Sequence, residues 1–596
     1  MKNRIKQYLL AASMCVGLTA CSDFFEPIPG VQFGLDETFA SKQRTEEYLN
    51  NVYSYVREVT DAIHPNTYGG IFTEASLDGA NRWNKTYAEW TNGSFNSASA
   101  QASEYFSKYY QAIAKASTFI QNVDKCTEAA ASTRGKWKSE ARALRAYYYF
   151  ELLRLYGPIP LIGEDPIPLD ASLEELIKER NSVDECVNFI ATELQSAIDS
   201  GDLLQRAGKA NLGRMDVATC MALKAKLYLY WASPLFNGNT DQASVKNKDG
   251  KQLFPQTEDN SKWAQARDAY ERFMTFAAGQ GYKLTEVYTN GKLDPYASCR
   301  AAGEFFTTTW EAVDELIFVK LRDLYDYTYW VCPKFTDFQD TDVTGGGGYY
   351  TTQETVDLFF TKDGLTIEED PGYDKFEGIP SANNFTSGRY YDPNNPSRLY
   401  FDADKSKVLK QWKDREPRFY VNITYSGSIW LNEGKYNEEM RTDFTNGANG
   451  TCGKSKASGD CPDSGYLIRR GAKASNNNGS KHFSPVLRLA DMYLGYAEAL
   501  CMCSDLDNAL TYLNKIRVRA GIPEYTFTAT AGKITCPKTQ TDLLNRIRRE
   551  RLVELVFEWN RYFDVRRWKV AEGQNDPEHW IYPAYHTGGE GGKVYG

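Results

Sequence analysis

The tightest constraint on the fold comes from runs in which apolar residues recur at three- and four-residue steps, with small alanines set between large side chains. In EARALRAYYYFELLRLYGPIP, Ala141, Leu144, Tyr148, Leu152 and Leu155 share one helical stripe, and Gly157 and Pro158 stop the helix. DVATCMALKAKLYLYWASP repeats the pattern with Ala218, Met221, Ala225, Leu229 and Ala232, and Pro234 ends it. Alternating alanines with aromatics and leucines lets one helix approach another closely, as in helix-turn-helix solenoids.

The same reasoning predicts helices over 104–124, 183–200, 263–278, 485–502, 506–520 and 542–559. Their lengths and spacing predict about four degenerate tetratricopeptide-like hairpins in a mainly α chain. Residues 285–484 differ in character. They are rich in Gly, Asn, Asp, Tyr and Pro, with GGGGYY at 345–350 and a strand-like piece over 419–425. So long a structureless loop is improbable inside a compact fold, so the stretch reads as an irregular ordered insertion with short strands. Gly345 to Gly348 read as a flexible turn. Helical segments flank the insertion, so 21–284, 285–484 and 485–596 are expected to form one interleaved unit.

The N-terminus carries a second signal. Lys2, Arg4 and Lys6 precede a mainly apolar run from Tyr8 to Thr19, too short to span a bilayer, and Leu18-Thr19-Ala20-Cys21 follows. This is the pattern of a lipoprotein signal peptide over 1–20, with Cys21 as the acylated residue. Cys15 is a poorer acceptor because bulky Met14 precedes it. The expected product is lipid-anchored, and several acyl chains suffice for stable anchoring.

Charge and cysteine usage narrow the functions. Acidic residues outnumber basic ones, 78 to 69, for a net charge of -9, which argues against nucleic acid as a partner. In an exported protein disulfides are permitted, and Cys452 and Cys461, bracketing a Gly- and Ser-containing loop, are the best candidate pair. No CxxC occurs, and His64, His482, His579 and His586 lack ligand spacing with cysteine, so no metal site is expected.

Several stretches carry a family likeness, in order: CSDFFEPIPG after Cys21, EARALRAYYYFELLRLYGPIPLI, ALKAKLYLYWASPLF, TTQETVDLFFTKDG, DREPRFYVNITYSG, PVLRLADMYLGYAEAL, ALTYLNKIRVRAGIP and RRERLVELVFEWNRYFDVRRWK. Together they cover most of the chain after Cys21, and the chain resembles the SusD/RagB family of outer-membrane nutrient-binding lipoproteins. That resemblance implies a SusD-like α-α superhelix with a large irregular insertion and exposure at the cell surface. It also implies a partner, a SusC-like TonB-dependent outer-membrane barrel over which the lipoprotein sits as a lid, and a glycan as the captured cargo.

Catalytic signatures are absent from the sequence. There is no HExxH, no G-x-S-x-G elbow and no phosphate loop. Glu550, Glu554 and Glu558 recur every four residues, with Arg546, Arg551 and Arg561 placed to neutralise them and Asp564, Arg566 and Arg567 continuing the pattern. Because they flank a stripe of Leu544, Leu552, Leu555 and Trp559, interhelical ion pairing is expected in place of a glycosidase carboxylate pair. No catalytic residue, metal or cofactor is therefore assigned.

Aromatics remain, with 40 Tyr and 12 Trp. Sugars are bound on flat aromatic platforms beside amides and carboxylates. SLDGANRWNKTYAEW offers Asp78, Asn81, Trp83, Asn84 and Trp90; RDLYDYTYW offers Asp326, Tyr327, Tyr329 and Trp330. The two segments are expected to meet at the ligand surface. Trp83, Trp90 and Trp330 as core packers stand as the alternative, since Trp is usually well buried. An oligopeptide cargo, as for members resembling RagB, is the competing reading, followed by a secreted glycoside hydrolase and a scaffold that binds only proteins.

Overall fold

Local capping chemistry sets the helical frame. In the computed structural model, the Asp216 carboxylate accepts the Thr219 amide at 2.7 Å and starts the helix Val217–Ala232. Ser182 and Glu185 form a capping box at the head of Val183–Asp199, the Glu185 carboxylate accepting the Ser182 amide at 2.7 Å. Such caps satisfy amides that have no partner within the helix. The helix Ala131–Tyr156 stops at Gly157, whose φ of 71° suits a residue without a Cβ.

The structure describes residues 34–57, 71–76, 78–81, 96, 99–164, 167, 171–303, 313–322, 329–335, 345–376, 380–431, 440–444, 451–453, 460–472 and 482–570. The leader and Cys21 lie outside them.

The main helices are α1 (Lys42–Ser54), α2 (Ala100–Asn122), α3 (Ala131–Tyr156), α4 (Val183–Asp199), α5 (Val217–Ala232), α6 (Ser261–Gly279), α7 (Gln353–Leu358), α8 (Pro417–Asn422), α9 (Leu489–Met502), α10 (Leu506–Ala520), α11 (Gln540–Glu554) and α12 (Asn560–Arg567). From α2 to α6 each helix packs on its sequence neighbour. Helix α6 then packs directly on α9, and α9 on α10 and α11. The chain thus leaves a helical solenoid after α6 and re-enters it at α9. The protein is mainly α, as its periodicity predicts.

The stripes understate the burial. Along α3, Arg142 is the one partly exposed residue between Ser139 and Arg154, with Tyr147, Tyr148, Tyr149 and Phe150 all inside. Helix α3 is buried on nearly every side, packed by α1, α2 and α4, and its buried charges are paired, Arg145 with Glu193 and Arg154 with Glu151.

Three boundaries depart from expectation. Residues 485–488 belong to a strand, His482–Arg488, paired antiparallel with Leu316–Arg322, and the register shifts beside Pro485. Proline donates no amide, so it is tolerated where a ladder is irregular. The helix predicted over 542–559 ends at Glu554; Phe557 and Trp559 take positive φ, 63° and 64°, and α12 starts afresh at Asn560. Of the strand-like 419–425, only Ile423–Tyr425 is a strand, because Pro417 occupies the first turn of α8.

We number the strands that matter below β1 (Ala80–Asn81), β2 (Leu316–Arg322), β3 (Tyr349–Tyr350), β4 (Ile423–Tyr425), β5 (Tyr466–Ile468) and β6 (His482–Arg488). One small sheet runs in the order β1-β3-β5-β4, so the segment before α2 is sewn into the insertion.

Candidate ligand surface

The described parts of the two segments singled out in the sequence, 78–81 and 329–330, are both tied to the chain that runs through the tetraglycine stretch. The turn at 329–333 carries Tyr329 and Trp330, whose rings meet edge to face at 4.9 Å. Gly345, Gly346, Gly347 and Gly348 donate their amides to the carbonyls of Pro333, Tyr329, Cys332 and Trp330 at 2.9, 2.7, 2.9 and 3.1 Å. A Cβ on Gly346 would strike the Trp330 ring, and one on Gly345 would strike the Tyr329 and Cys332 carbonyl oxygens. All four glycines are buried. The flexible turn expected here is instead a clamp, because only a bare backbone can pass so close to the indole and the turn carbonyls.

The chain continues from Gly348 into β3, which pairs with β1 in the register Ala80↔Tyr350 and Asn81↔Tyr349. The Thr351 hydroxyl donates to the Asp78 carbonyl at 2.5 Å. A Cβ on Gly79 would lie 2.9 Å from the Tyr350 carbonyl oxygen, so this approach too needs glycine. Backbone geometry therefore holds the start of the 78–90 segment beside the Trp330 turn. Asn81 contributes to β1 through its main chain. Trp83, Asn84, Trp90 and Tyr327, with Asp326, lie outside the described residues.

Tyr329 and Trp330 are half-buried. Asp78 is a correction to the expected set. It is only 1% exposed, and its carboxylate accepts from Arg561 at 3.1 Å. Burial pushes its pKa up to about 6, with the Arg561 charge opposing the rise. It anchors the segment from beneath and offers no carboxylate to a ligand.

The expected bridge between Cys452 and Cys461 is a second correction. Both side chains are buried and they are not joined to each other. The Cys452 thiol lies 3.4 Å from the Thr451 hydroxyl. Among the described residues no group of His, Cys, Asp and Glu side chains is arranged to hold a metal ion.

The charged C-terminal helix is an ion-pair core, as expected, but with other cations. Glu550 meets Arg418 at 2.6 Å and Arg517 at 3.0 Å. Glu554 meets Arg488 at 2.7 Å, Arg418 at 3.2 Å, and Arg519. Glu558 meets Arg488 at 2.9 Å, and Arg470. These arginines come from α8, β6, α10 and the loop after β5. Arg546, Arg551 and Arg561, assigned to this task from sequence, instead serve Asp542 and Glu369, Asp491 and Asp564, and Asp78 and Glu354. Helix position could not reveal partners that belong to other elements, from 33 residues away for Arg517 to 136 for Arg418. Burial alone would raise the Glu554 pKa, but Arg519, Arg488 and Arg418 together hold it well below the usual carboxylate range.

This architecture defines a class: a helical-repeat scaffold presenting an aromatic, loop-borne surface from an irregular insertion. Comparison with known proteins makes the assignment specific. Residues 315–588 match the model of the SusD family, and residues 32–229 match a model described as starch-binding associating with outer membrane. The chain belongs to the SusD/RagB family. It is similar to a SusD-like protein of Bacteroides ovatus, 27% identical over 175 residues, a match that spans 28% of this chain and 30% of that relative. Among solved structures it is similar to BT4246, with a TM-score of 0.69 and 25% identity over 89% of this chain and 90% of the other. It also shares the fold of a SusD-like protein from Bacteroides fragilis, with a TM-score of 0.63 and 21% identity over 90% and 88% of the two chains.

Proposed function

We propose that the chain captures a glycan at the outer-membrane surface without cleaving it, and delivers it to a SusC-like TonB-dependent barrel over which it closes as a lid. One observation carries the binding site: the glycine clamp that fixes Tyr329 and Trp330 and runs straight into the strand paired with the 78–81 segment. A preformed platform costs little ordering on binding, and aromatic faces are what sugar rings stack against. Trp83 and Trp90, following β1 in sequence, complete the surface in this reading.

Family relatives support the cargo class. One shared fold is that of a SusD-like carbohydrate binding protein from Bacteroides fragilis, another that of a laminarin binding SusD-like protein. Fold alone does not fix function, so the cargo rests on the aromatic platform as well. The anchor is Cys21, whose thiol takes a diacylglycerol before 1–20 are removed, and residues 21–596 act as one unit, a reading supported by the packing of α6 on α9 across the insertion.

The deciding experiment titrates the purified chain with a panel of neutral glycans, alongside Trp83→Ala and Trp330→Ala. Both substitutions are expected to weaken binding, with no new reducing ends generated. Unchanged affinity in both, or turnover of the glycan, overturns the reading. Copurification of a large barrel with the membrane-anchored chain tests the delivery step.

A further inference from the structure

A groove of about 700 Å³ lies between α10, Tyr493 of α9 and the segment 282–288 that follows α6. It shares no residue with the Trp330 surface. Such a volume falls in the range of small-ligand sites. Tyr288 stands 60% exposed at its rim, and its hydroxyl donates to Glu286 at 2.8 Å, which fixes the ring. Val518 adds an apolar patch, 44% exposed.

Two of the charged side chains around the groove, Lys515 and Glu286, have no ion pair among the described residues, and Glu286 accepts the Tyr288 hydroxyl instead. Asp314 meets Arg206 at 2.9 Å and Lys283 at 3.5 Å, and Glu524 meets Lys533 at 2.7 Å. Lys515 has no carboxylate within ion-pair reach among the described residues. Its ammonium instead lies over the rings of Tyr493 and Tyr512, 5.1 and 4.4 Å from their centroids. Those rings meet edge to face at 5.3 Å. Two aromatic faces attract a cation but leave its charge uncancelled, and partial burial already lowers the Lys515 pKa. The side chain is exposed, so an incoming carboxylate can reach the ammonium, and the two rings beneath it leave that charge unneutralised.

We propose that this groove is a second saccharide site, selective for sugars bearing a carboxylate. In it the uronate carboxylate pairs with Lys515, the exposed face of Tyr288 takes a pyranose ring, and Glu286 accepts hydroxyl hydrogens. A protein partner would favour a flatter and broader apolar face than the single valine patch here.

The test uses the full chain, titrated calorimetrically with trigalacturonate and with its methyl ester. The acid is expected to bind at least about tenfold more tightly, as befits one charge-assisted contact. Lys515→Met should erase that preference, Lys515→Arg should retain it, and Tyr288→Ala should weaken both ligands. Trp330→Ala should leave both unchanged. Equal affinity for acid and ester, an undiminished preference in Lys515→Met, or loss of binding in Trp330→Ala alone would each overturn the proposal. The proposal does not depend on the Trp330 reading, because neutral glycans test the Trp330 surface and the acid-to-ester ratio tests this groove.

Discussion

Arg561 of α12 donates to the Asp78 carboxylate at 3.1 Å across 483 positions of sequence, and reaches Glu354 at 2.9 Å and the Thr355 hydroxyl at 3.1 Å. One guanidinium therefore ties the last helix to both the β1 segment and α7. Arg561→Met would strand two buried carboxylates together, at a cost of about 3–5 kcal/mol, seen as a lower urea midpoint. Asp78→Asn should be milder and should carry a pH signature. The Asp78 carboxyl titrates near 6 when folded, above its unfolded value of about 3.9. The folded state thus binds the proton more firmly, and stability attributable to this group falls as pH rises from about 4 through 6. Urea unfolding should show the asparagine variant gaining on wild type across that window. A constant difference would contradict the burial assigned to Asp78.

Glu554 is the hub of the C-terminal ion-pair core, shared by Arg418, Arg488 and Arg519. Glu554→Gln keeps the shape and removes the charge, leaving three buried cations under-compensated. A loss of about 3–5 kcal/mol is expected, visible as a large drop in melting temperature. Glycan affinity measured on the folded fraction should stay within about twofold of wild type, because the network touches no residue of the Trp330 turn. Weakened binding at unchanged stability would reassign Glu554 to the ligand surface.

Acid sensitivity should follow from the same chemistry elsewhere in the frame. Asp491 of α9 meets Lys226 of α5 at 2.6 Å and Arg551 of α11 at 2.7 Å. Burial opposes its ionisation, but these two cations prevail and hold its pKa well below the ordinary range. A depressed folded pKa gives stability that is fully present above the unfolded value, about 3.9, and is lost as pH falls below it. Asp491→Asn should therefore be destabilised at pH 7 and converge on wild type towards pH 2 in denaturant titrations. Curves that stay parallel would show that the carboxylate is not held by these cations.

The solenoid was legible because helix periodicity is a local property. The helix Leu506–Ala520 matches its predicted span, and Gly157 ends α3 where the Gly-Pro pair required. The misreadings share a cause in long-range pairing. Pro485 looks like a helix start until β2 arrives to pair with its strand, and the arginines that neutralise Glu554 come from distant segments. The tetraglycine run was visible but its role was not, since a glycine needed for close approach looks in sequence like one needed for mobility. That the 78–90 and 322–330 segments meet stays an expectation; the strand pairing places only residues 80–81 beside 349–350, and the burial of Asp78 required knowing where Arg561 lies. The groove at Lys515 left no sequence signal, because Tyr288, Tyr493 and Lys515 belong to three separate elements.

The clamp on Trp330 makes the last prediction. Gly346→Ala places a methyl group against the indole, where the backbone cannot yield without breaking the Gly346 to Tyr329 hydrogen bond at 2.7 Å. The ring must tilt, and glycan affinity should fall by about tenfold, the scale on which about 1.4 kcal/mol acts. Gly279→Ala is the control: it sits at the end of α6 with nothing within 4 Å of an added Cβ, so it should bind as wild type does. If the clamp acts by orienting Trp330, then Trp330→Ala and Gly346→Ala remove the same contact, and the double variant should lose little more than Trp330→Ala alone. Additive losses would mean that Gly346 acts on binding by some route other than the indole. An unaffected Gly346→Ala would mean that the platform adapts to its ligand, with no need of a rigid backing.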